Sequence, residues 1–208
     1  MKKFTMFFLV AVLSVAVTGS ANAISWTTNV AHIYAAGGLD VAVPGLDGSL
    51  ISSLADPFGG SIGFSNPVEI RTGNISWIPW RSGSNAPVLW TGLGNSSVTL
   101  NFDNSCTAFG MYAMPNLLSP SFDVTLGLED GSELTQTIYG GDGPAFFGFR
   151  NGVGVDWMTI SVDEPTYGLG FGEMVMAGRS APSVPEPATM VLFGLGLIGA
   201  GVVRKFKR

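Results

Sequence analysis

The chain has 208 residues, 46% of them hydrophobic and 12% charged, with a mean hydropathy of +0.37 and a formal net charge of −5. That charge density is about half that of an ordinary soluble domain. It argues against intrinsic disorder and nucleic-acid binding, which both need many charges. The 29 glycines and 12 prolines, most of them in the middle of the chain, argue against a polytopic membrane protein. The hydrophobic excess sits at the two ends: 15 of the first 23 residues are apolar, as are 11 of the 16 at 188–203, whereas residues 24–183 are an ordinary 42% apolar.

Met1-Lys2-Lys3, an apolar run from Phe4 to Val17 and a small-residue end at Ala21-Asn22-Ala23 are the three parts of a secretory signal peptide. The run is short of the roughly 20 residues that a comfortable membrane span needs. Cleavage after Ala23, with Ala21 as the other small site residue, leaves Ile24 as the mature start. An uncleaved anchor is the plainer alternative.

From residue 24 to 177 the sequence reads as one antiparallel β-sandwich. Glycine and proline make up 34 of residues 24–183, which leaves no amphipathic helix of useful length. His32 falls on a short strand, and residues 36–66, rich in Gly, Pro, Ser and Asp, read as irregular. Strands are expected at 68–71, 98–102, 108–114, 122–128, 134–138, 145–150, 157–162 and 171–177. The clearest is the hairpin in which Phe122, Val124, Leu126 and Leu128 alternate with polar or small residues. The turn Glu129-Asp130-Gly131-Ser132-Glu133 then leads into Leu134, Gln136 and Ile138; Asp-Gly between two alternating runs is a strong hairpin signal. Trp90 and Trp157 read as core. Gly178–Ser183 reads as a linker.

The charges redistribute once the ends are set aside. All four lysines lie in the first three and last four residues, so residues 24–183 keep four arginines against 14 acidic residues. A body of net charge −10 is a poor partner for nucleic acid or acidic lipid. Cys106 is the only cysteine, so no intramolecular disulfide forms despite export; an inert buried thiol is expected in its apolar setting.

Little in the body points to catalysis. His32 is the only histidine, and triad or Cys-His chemistry would have to use it. One His and one Cys do not make a zinc site. Glycosidases need two acids about 5–9.5 Å apart, but Glu129, Asp130, Glu133, Asp163 and Glu164 all suit solvated turns. No catalytic residue and no metal ligand is assigned. Calcium is a minor candidate through Asp40, Asp47, Asp56 and Asp142 on glycine-rich loops, since it takes six to eight oxygens from flexible segments. Asn74, Trp77, Trp80 and Arg81 form the candidate glycan-binding site. Pro79 blocks a central ladder position there, which would free two flat rings for stacking on sugar faces; burial of one or both rings in the sandwich core is the plainer reading.

The last 25 residues hold Val184-Pro185-Glu186-Pro187, the apolar stretch 188–203 and Arg204-Lys205-Phe206-Lys207-Arg208. As a helix the stretch would cover roughly 24 Å, and the basic tail Arg204, Lys205, Lys207 and Arg208 stays cytoplasmic by the positive-inside rule. In that order and at the chain terminus these parts resemble the PEP-CTERM sorting signal of Gram-negative bacteria. The resemblance implies a membrane-embedded exosortase that recognises and removes the tail, and a host that makes exopolysaccharide. It further implies a mature protein delivered to the cell surface or extracellular matrix. A plain membrane anchor is the alternative.

A looser likeness runs through Phe102-Asp103, Ala108–Tyr112, Leu128–Ser132, Phe146–Phe149 and Trp157–Val162, an order similar to lectin-like jelly-roll ectodomains common among PEP-CTERM proteins. Where many of those end in a Gly-Ile-Asp-Asp strand, this chain has Phe171-Gly172-Glu173-Met174.

The sequence thus describes an all-β protein: a signal peptide at 1–23, a jelly-roll-like sandwich at 24–177, a linker at 178–183 and a sorting signal with a transmembrane helix at 184–208. Its expected partners are the Sec machinery and signal peptidase, exosortase, the inner membrane for the precursor only, and exopolysaccharide. The expected role is non-catalytic, structural or adhesive in a biofilm matrix. A defined glycan-binding module and an extracellular glycan hydrolase are the alternatives.

Overall fold

The computed structural model describes residues 24–73, 75–77, 80, 85–116, 121–163 and 167–179. The expected signal peptide at 1–23 and the expected sorting signal at 184–208 fall outside them. Among the described residues no helix is long and apolar enough to cross a membrane.

The described chain is almost entirely strand. In order it runs β1 (Ser25–Thr27), the one-turn helix α1 (Ala31–Tyr34), β2 (Leu39–Asp40), β3 (Leu50–Ala55), β4 (Ser61–Thr72), β5 (Pro87–Trp90), β6 (Ser97–Pro115), β7 (Ser121–Leu128), β8 (Glu133–Tyr139), β9 (Ala145–Val162) and β10 (Leu169–Arg179). Every pairing between these strands is antiparallel. Hydrogen bonds join them all in one sheet, with the path β2-β10-β5-β4-β6-β9-β7-β8.

That sheet bends back on itself. The first half of β4 pairs with β6 through Ile62–Phe64, and its second half pairs with β5 through Glu69–Thr72. β5 pairs onward to β10, and β10 pairs with β6. The circuit β4-β6-β10-β5 is therefore closed, which removes the open edges that these four strands would otherwise present.

The main core holds the alternating residues expected of a half-buried sheet: Val98, Leu100 and Phe102 of β6, Val124, Leu126 and Leu128 of β7, and Met158, Ile160 and Val162 of β9. Phe109, Phe147, Phe149 and Phe171 are fully buried, each worth about 2–3 kcal/mol relative to an exposed ring. The run 108–115 does not alternate, because both its faces are covered. Phe109, Met111 and Ala113 face the main core, whereas Ala108 lies in a second cluster with Ile33 of α1, Phe146 and Val175.

Several sequence expectations change. Residues 36–66 are not irregular: they hold β2, β3 and the start of β4. His32 lies on α1 rather than a strand. The strands expected at 98–102 and 108–114 are one strand, β6, and those at 145–150 and 157–162 are one strand, β9. Their register shifts between Asn101 and Ala108, so a bulge bends the ladder without ending it. Gly178 and Arg179 belong to β10 rather than to a linker. Trp157 is 40% exposed and so is not a core residue; its strand turns Met158, Ile160 and Val162 inward and therefore turns Trp157 outward. Trp90 is half-buried against the core. The Asp-Gly hairpin forms at the expected place. Leu128 N–H donates to Ser132 C=O at 2.9 Å, and the Asp130 carboxylate accepts from the Ser132 amide and hydroxyl at 3.0 and 2.6 Å.

Candidate functional site

A cleft of about 500 Å³ opens where α1, β2 and the segment after it meet β10. Tyr34, Asp40, Val41, Tyr112, Glu173 and Met174 are among the residues lining it. Its shape follows from two local features. On one side, the Asn29 side chain accepts from Ala31 N–H at 3.0 Å and starts α1, which points Tyr34 toward β2. The Tyr34 hydroxyl donates to Asp40 Oδ1 at 2.5 Å. On the other side, the β10–β6 ladder breaks between Gly172 and Val175. Glu173 sits in the break with φ of 45°, and no other non-glycine among the described residues has positive φ. A non-glycine residue in that region costs on the order of 1–3 kcal/mol and persists only where its surroundings hold it.

What holds Glu173 is one of the tryptophans singled out in the sequence. Trp80 Nε1 donates to Glu173 Oε1 at 2.9 Å. Trp80 is 3% exposed and Trp77 5%, so neither ring has a face open to a sugar. Burial of both rings in the core, the plainer of the two readings, is what the structure has, and the candidate glycan site at Trp77 and Trp80 is corrected accordingly. Trp77 lies over β10, where a Cβ on Gly170 would come within 2.4 Å of its ring; glycine at that strand position leaves the room the indole fills. Asn74 and Arg81 lie outside the described residues. So do the expected signal-cleavage residues Ala21 and Ala23, the expected sorting motif Val184, Pro185, Glu186 and Pro187, and the basic tail Arg204, Lys205, Lys207 and Arg208.

The remaining candidates are each engaged elsewhere. His32 Nδ1 pairs with Thr27 Oγ1 at 2.8 Å. Cys106 Sγ lies 3.0 Å from Ala108 C=O, and burial is the main reason its thiol is pushed up to about 12; a thiol with that pKa is no nucleophile at neutral pH. The loop acids considered for calcium are dispersed. Asp40 meets Tyr34. Asp47 Oδ1 accepts from Thr72 N–H at 2.7 Å and from the Ser76 hydroxyl, and the Ser76 bond, first among its causes, holds its carboxyl below the usual range. Asp142 ends a single 3-10 turn at Gly140–Asp142. Among the described residues no three His, Cys, Asp or Glu side chains gather in one place. Glu129 and Asp163 accept main-chain bonds from Asp156 and Asp123 at 3.2 and 3.0 Å, as turn acids do.

The cleft therefore combines two phenols, two carboxylates and an apolar floor. Clefts of several hundred cubic ångströms with a few convergent polar groups are the usual form of small-ligand sites. Tyr34, Tyr112 and Glu173 were not singled out from the sequence. They come from segments 61 to 139 positions apart, and no local pattern marks them.

Residues 183–205 match the PEP-CTERM protein-sorting motif. No curated protein matches the chain. The motif covers the segment where Pro-Glu-Pro, the apolar stretch and the first basic residues follow one another, and it indicates exosortase-dependent sorting of an exported protein to the cell surface or extracellular space.

Proposed function

We propose that the mature protein is a non-catalytic structural or adhesive component of an exopolysaccharide matrix. In this reading a cleaved signal peptide exports it, and exosortase releases it from a transient inner-membrane precursor. The sorting motif at 183–205 carries the reading. Three features of the body support it. The β4-β6-β10-β5 circuit suits a jelly-roll-like domain. The strongly acidic, lysine-free composition keeps such a protein soluble among neutral polysaccharides. His32 and Cys106, the residues that nucleophilic chemistry would call on, are bonded or buried. Mass spectrometry of both ends of the surface-exposed protein from its native host tests it. The expected termini are Ile24 and a residue upstream of the basic tail; an intact Arg204–Arg208 on the surface-exposed protein overturns exosortase processing.

A second reading is favoured by the cleft. A matrix protein that also binds a defined sugar would use Tyr34 and Tyr112 as ring faces and Asp40 and Glu173 as acceptors for sugar hydroxyls, in place of the buried Trp77 and Trp80. Both carboxylates already accept protein donors, which suits a fixed hydrogen-bonding wall better than an acid–base pair. Glycan-array binding by the full chain that disappears in Tyr34→Ala supports this reading. Absence of binding, or binding that Tyr34→Ala leaves unchanged, leaves the purely structural role.

A further inference from the structure

β8 is an edge strand. It pairs with β7 from the Ser121–Tyr139 pair to the Gly127–Glu133 pair without a register shift, and the sheet path ends on it. Its outer side therefore has no neighbouring strand among the described residues. The other short edges are blunted: β1 has three residues, β2 has two, and the ladder of β3 shifts between Ile51 and Ser53. Short strands, bulges, prolines and lysines are the devices that keep an edge from pairing with another chain. β8, seven residues long, has none of them. Its centre is held in place from within the domain, since Gln136 Nε2 donates to Phe146 C=O at 2.8 Å and the Thr135 and Thr125 hydroxyls pair at 2.7 Å.

The sequence of β8, Glu-Leu-Thr-Gln-Thr-Ile-Tyr, reads almost the same in both directions about Gln136. Residues directly opposite in an antiparallel pair share a face. A second β8 laid antiparallel, Gln136 against Gln136, therefore sets Thr135 against Thr137, Leu134 against Ile138 and Glu133 against Tyr139, each twice. Leu134 and Ile138 lie on the side turned to the core, Leu134 partly buried and Ile138 5% exposed. Thr135, Thr137, Glu133 and Tyr139 lie on the exposed side. Apolar thus meets apolar beneath the seam, hydroxyl meets hydroxyl above it, and the strand's one charge meets a phenol rather than its own copy. Such directly opposed pairs contribute roughly 0.2–1 kcal/mol each. A slip of one residue would turn Leu134 and Ile138 of one copy to solvent, which fixes the register.

We propose that β8 is a self-association edge, through which two copies of this chain pair antiparallel about a two-fold axis at Gln136 and join their sheets into one. Main-chain hydrogen bonds supply the attraction, as in other cases of strand addition to an open edge, and the palindromic side chains supply the choice of a second copy as partner. Each copy spends the same edge, so the assembly closes as a dimer and grows no further. One seven-residue edge buries less than the about 1,200 Å² of a standard interface, so the dimer is weak and depends on concentration. Both copies carry net negative charge, so added salt strengthens it by screening their repulsion. This pairing depends neither on the cleft nor on the sorting motif.

The test uses the full chain in detergent. Sedimentation equilibrium is expected to show one chain at low concentration and two at high, with association that tightens as salt is added. The double variant Thr135→Lys/Thr137→Lys sets two like-charged pairs across the seam and is expected to weaken association about tenfold or more. Lysine makes a net-negative chain less self-repelling, so that loss reports the seam itself. Thr135→Cys and Thr137→Cys read the register directly, and they decide the matter should the lysine variant fail to fold. An equimolar mixture of the two is expected to form a disulfide-linked dimer under copper–phenanthroline oxidation about tenfold faster than either alone. Two copies of one variant hold their thiols on the diagonal, about 7–8 Å apart and too far to bridge; Cys106 is buried and does not compete. A single-chain mass at every concentration, undiminished association in the lysine variant, or cross-linking no faster in the mixture than in the separate variants overturns the proposal.

Discussion

The indole N–H of Trp80 and the Glu173 carboxylate meet at 2.9 Å across 93 residues of sequence, and that bond fixes the one non-glycine residue with positive φ among those described. Glu173 thus gives up backbone comfort to reach a partner buried in the core, and its carboxylate is presented at the wall of the cleft. The pair should behave as a unit. Trp80→Phe keeps most of the ring volume but removes the donor, and is expected to cost about 1–2 kcal/mol in denaturant unfolding. Glu173→Ala and Glu173→Gly both remove the acceptor, yet the glycine variant is expected to be more stable by about 1 kcal/mol, because only alanine retains the strain. Equal stability of the two would mean that no strain is stored there.

Gly170→Ala probes the seat of the second buried tryptophan. The added methyl would lie 2.4 Å from Cζ2 and 2.6 Å from Cε2 of Trp77, which a packed core accommodates only by moving the ring or the strand. A loss of about 1–3 kcal/mol is expected. Combined with Trp77→Leu the loss should shrink, giving a favourable coupling in a double-mutant cycle. Additive effects would show that the ring does not rest on Gly170.

The Cys106 thiol makes stability fall in alkali. Its pKa rises from 9.0 unfolded to about 12 folded, chiefly through burial. Above pH 9 the folded state therefore binds more protons than the unfolded one. The sign follows directly: stability is full below pH 9 and erodes as pH climbs from 9 toward 12, at a slope approaching about 1.4 kcal/mol per unit. Urea midpoints measured from pH 8 to 10.5 are expected to show this fall in the wild type and a shallower one in Cys106→Ala. Alkylation of the native protein at pH 8 should be slow and should become rapid on unfolding.

Among the described tryptophans, Trp157 is the one on the exposed outer face. Acrylamide should quench a distinct fraction of the native fluorescence, and Trp157→Phe should remove most of that fraction. Retention of the quenchable component would return Trp157 to the interior.

What the sequence made legible depended on how local the physics was. Phe122, Val124, Leu126 and Leu128 alternate because one face of β7 is buried, and Asp130-Gly131 fits a tight turn, so that hairpin could be read directly. β3 could not: only Leu54 of its six residues is buried, and a strand that hides almost nothing shows no period. The length of β6 was hidden by Asp103-Asn104-Ser105, three polar residues that interrupt its alternation and lie in a bulge. Pro79 suggested an open segment around Trp77 and Trp80, yet their rings fold onto Gly170 and toward Glu173, partners that no local window contains. Trp157 was placed in the core by its hydrophobicity, against the period-2 rule that its own strand obeys. The cleft was invisible for the simplest reason, since its walls come from both ends and the middle of the body. The sorting motif was legible because it is a linear signal.

The last strand also bears on how the protein meets mechanical load. β10 is hydrogen-bonded along its length to β6, up to the pairing of Arg179 with Cys106. Only residues 180–182 separate it from the sorting motif, a reach of at most about 11 Å when extended. In the membrane-held precursor of the proposed route, any pull on the domain would be delivered almost directly to the end of β10. It acts along the strand, so the β6 and β5 ladders resist it in shear, with many hydrogen bonds loaded together rather than peeled one by one. A tether at that end would hold the domain by one of its most extensively paired strands, and a pulling force would have to slide β10 out of the closed circuit before it could unfold the rest.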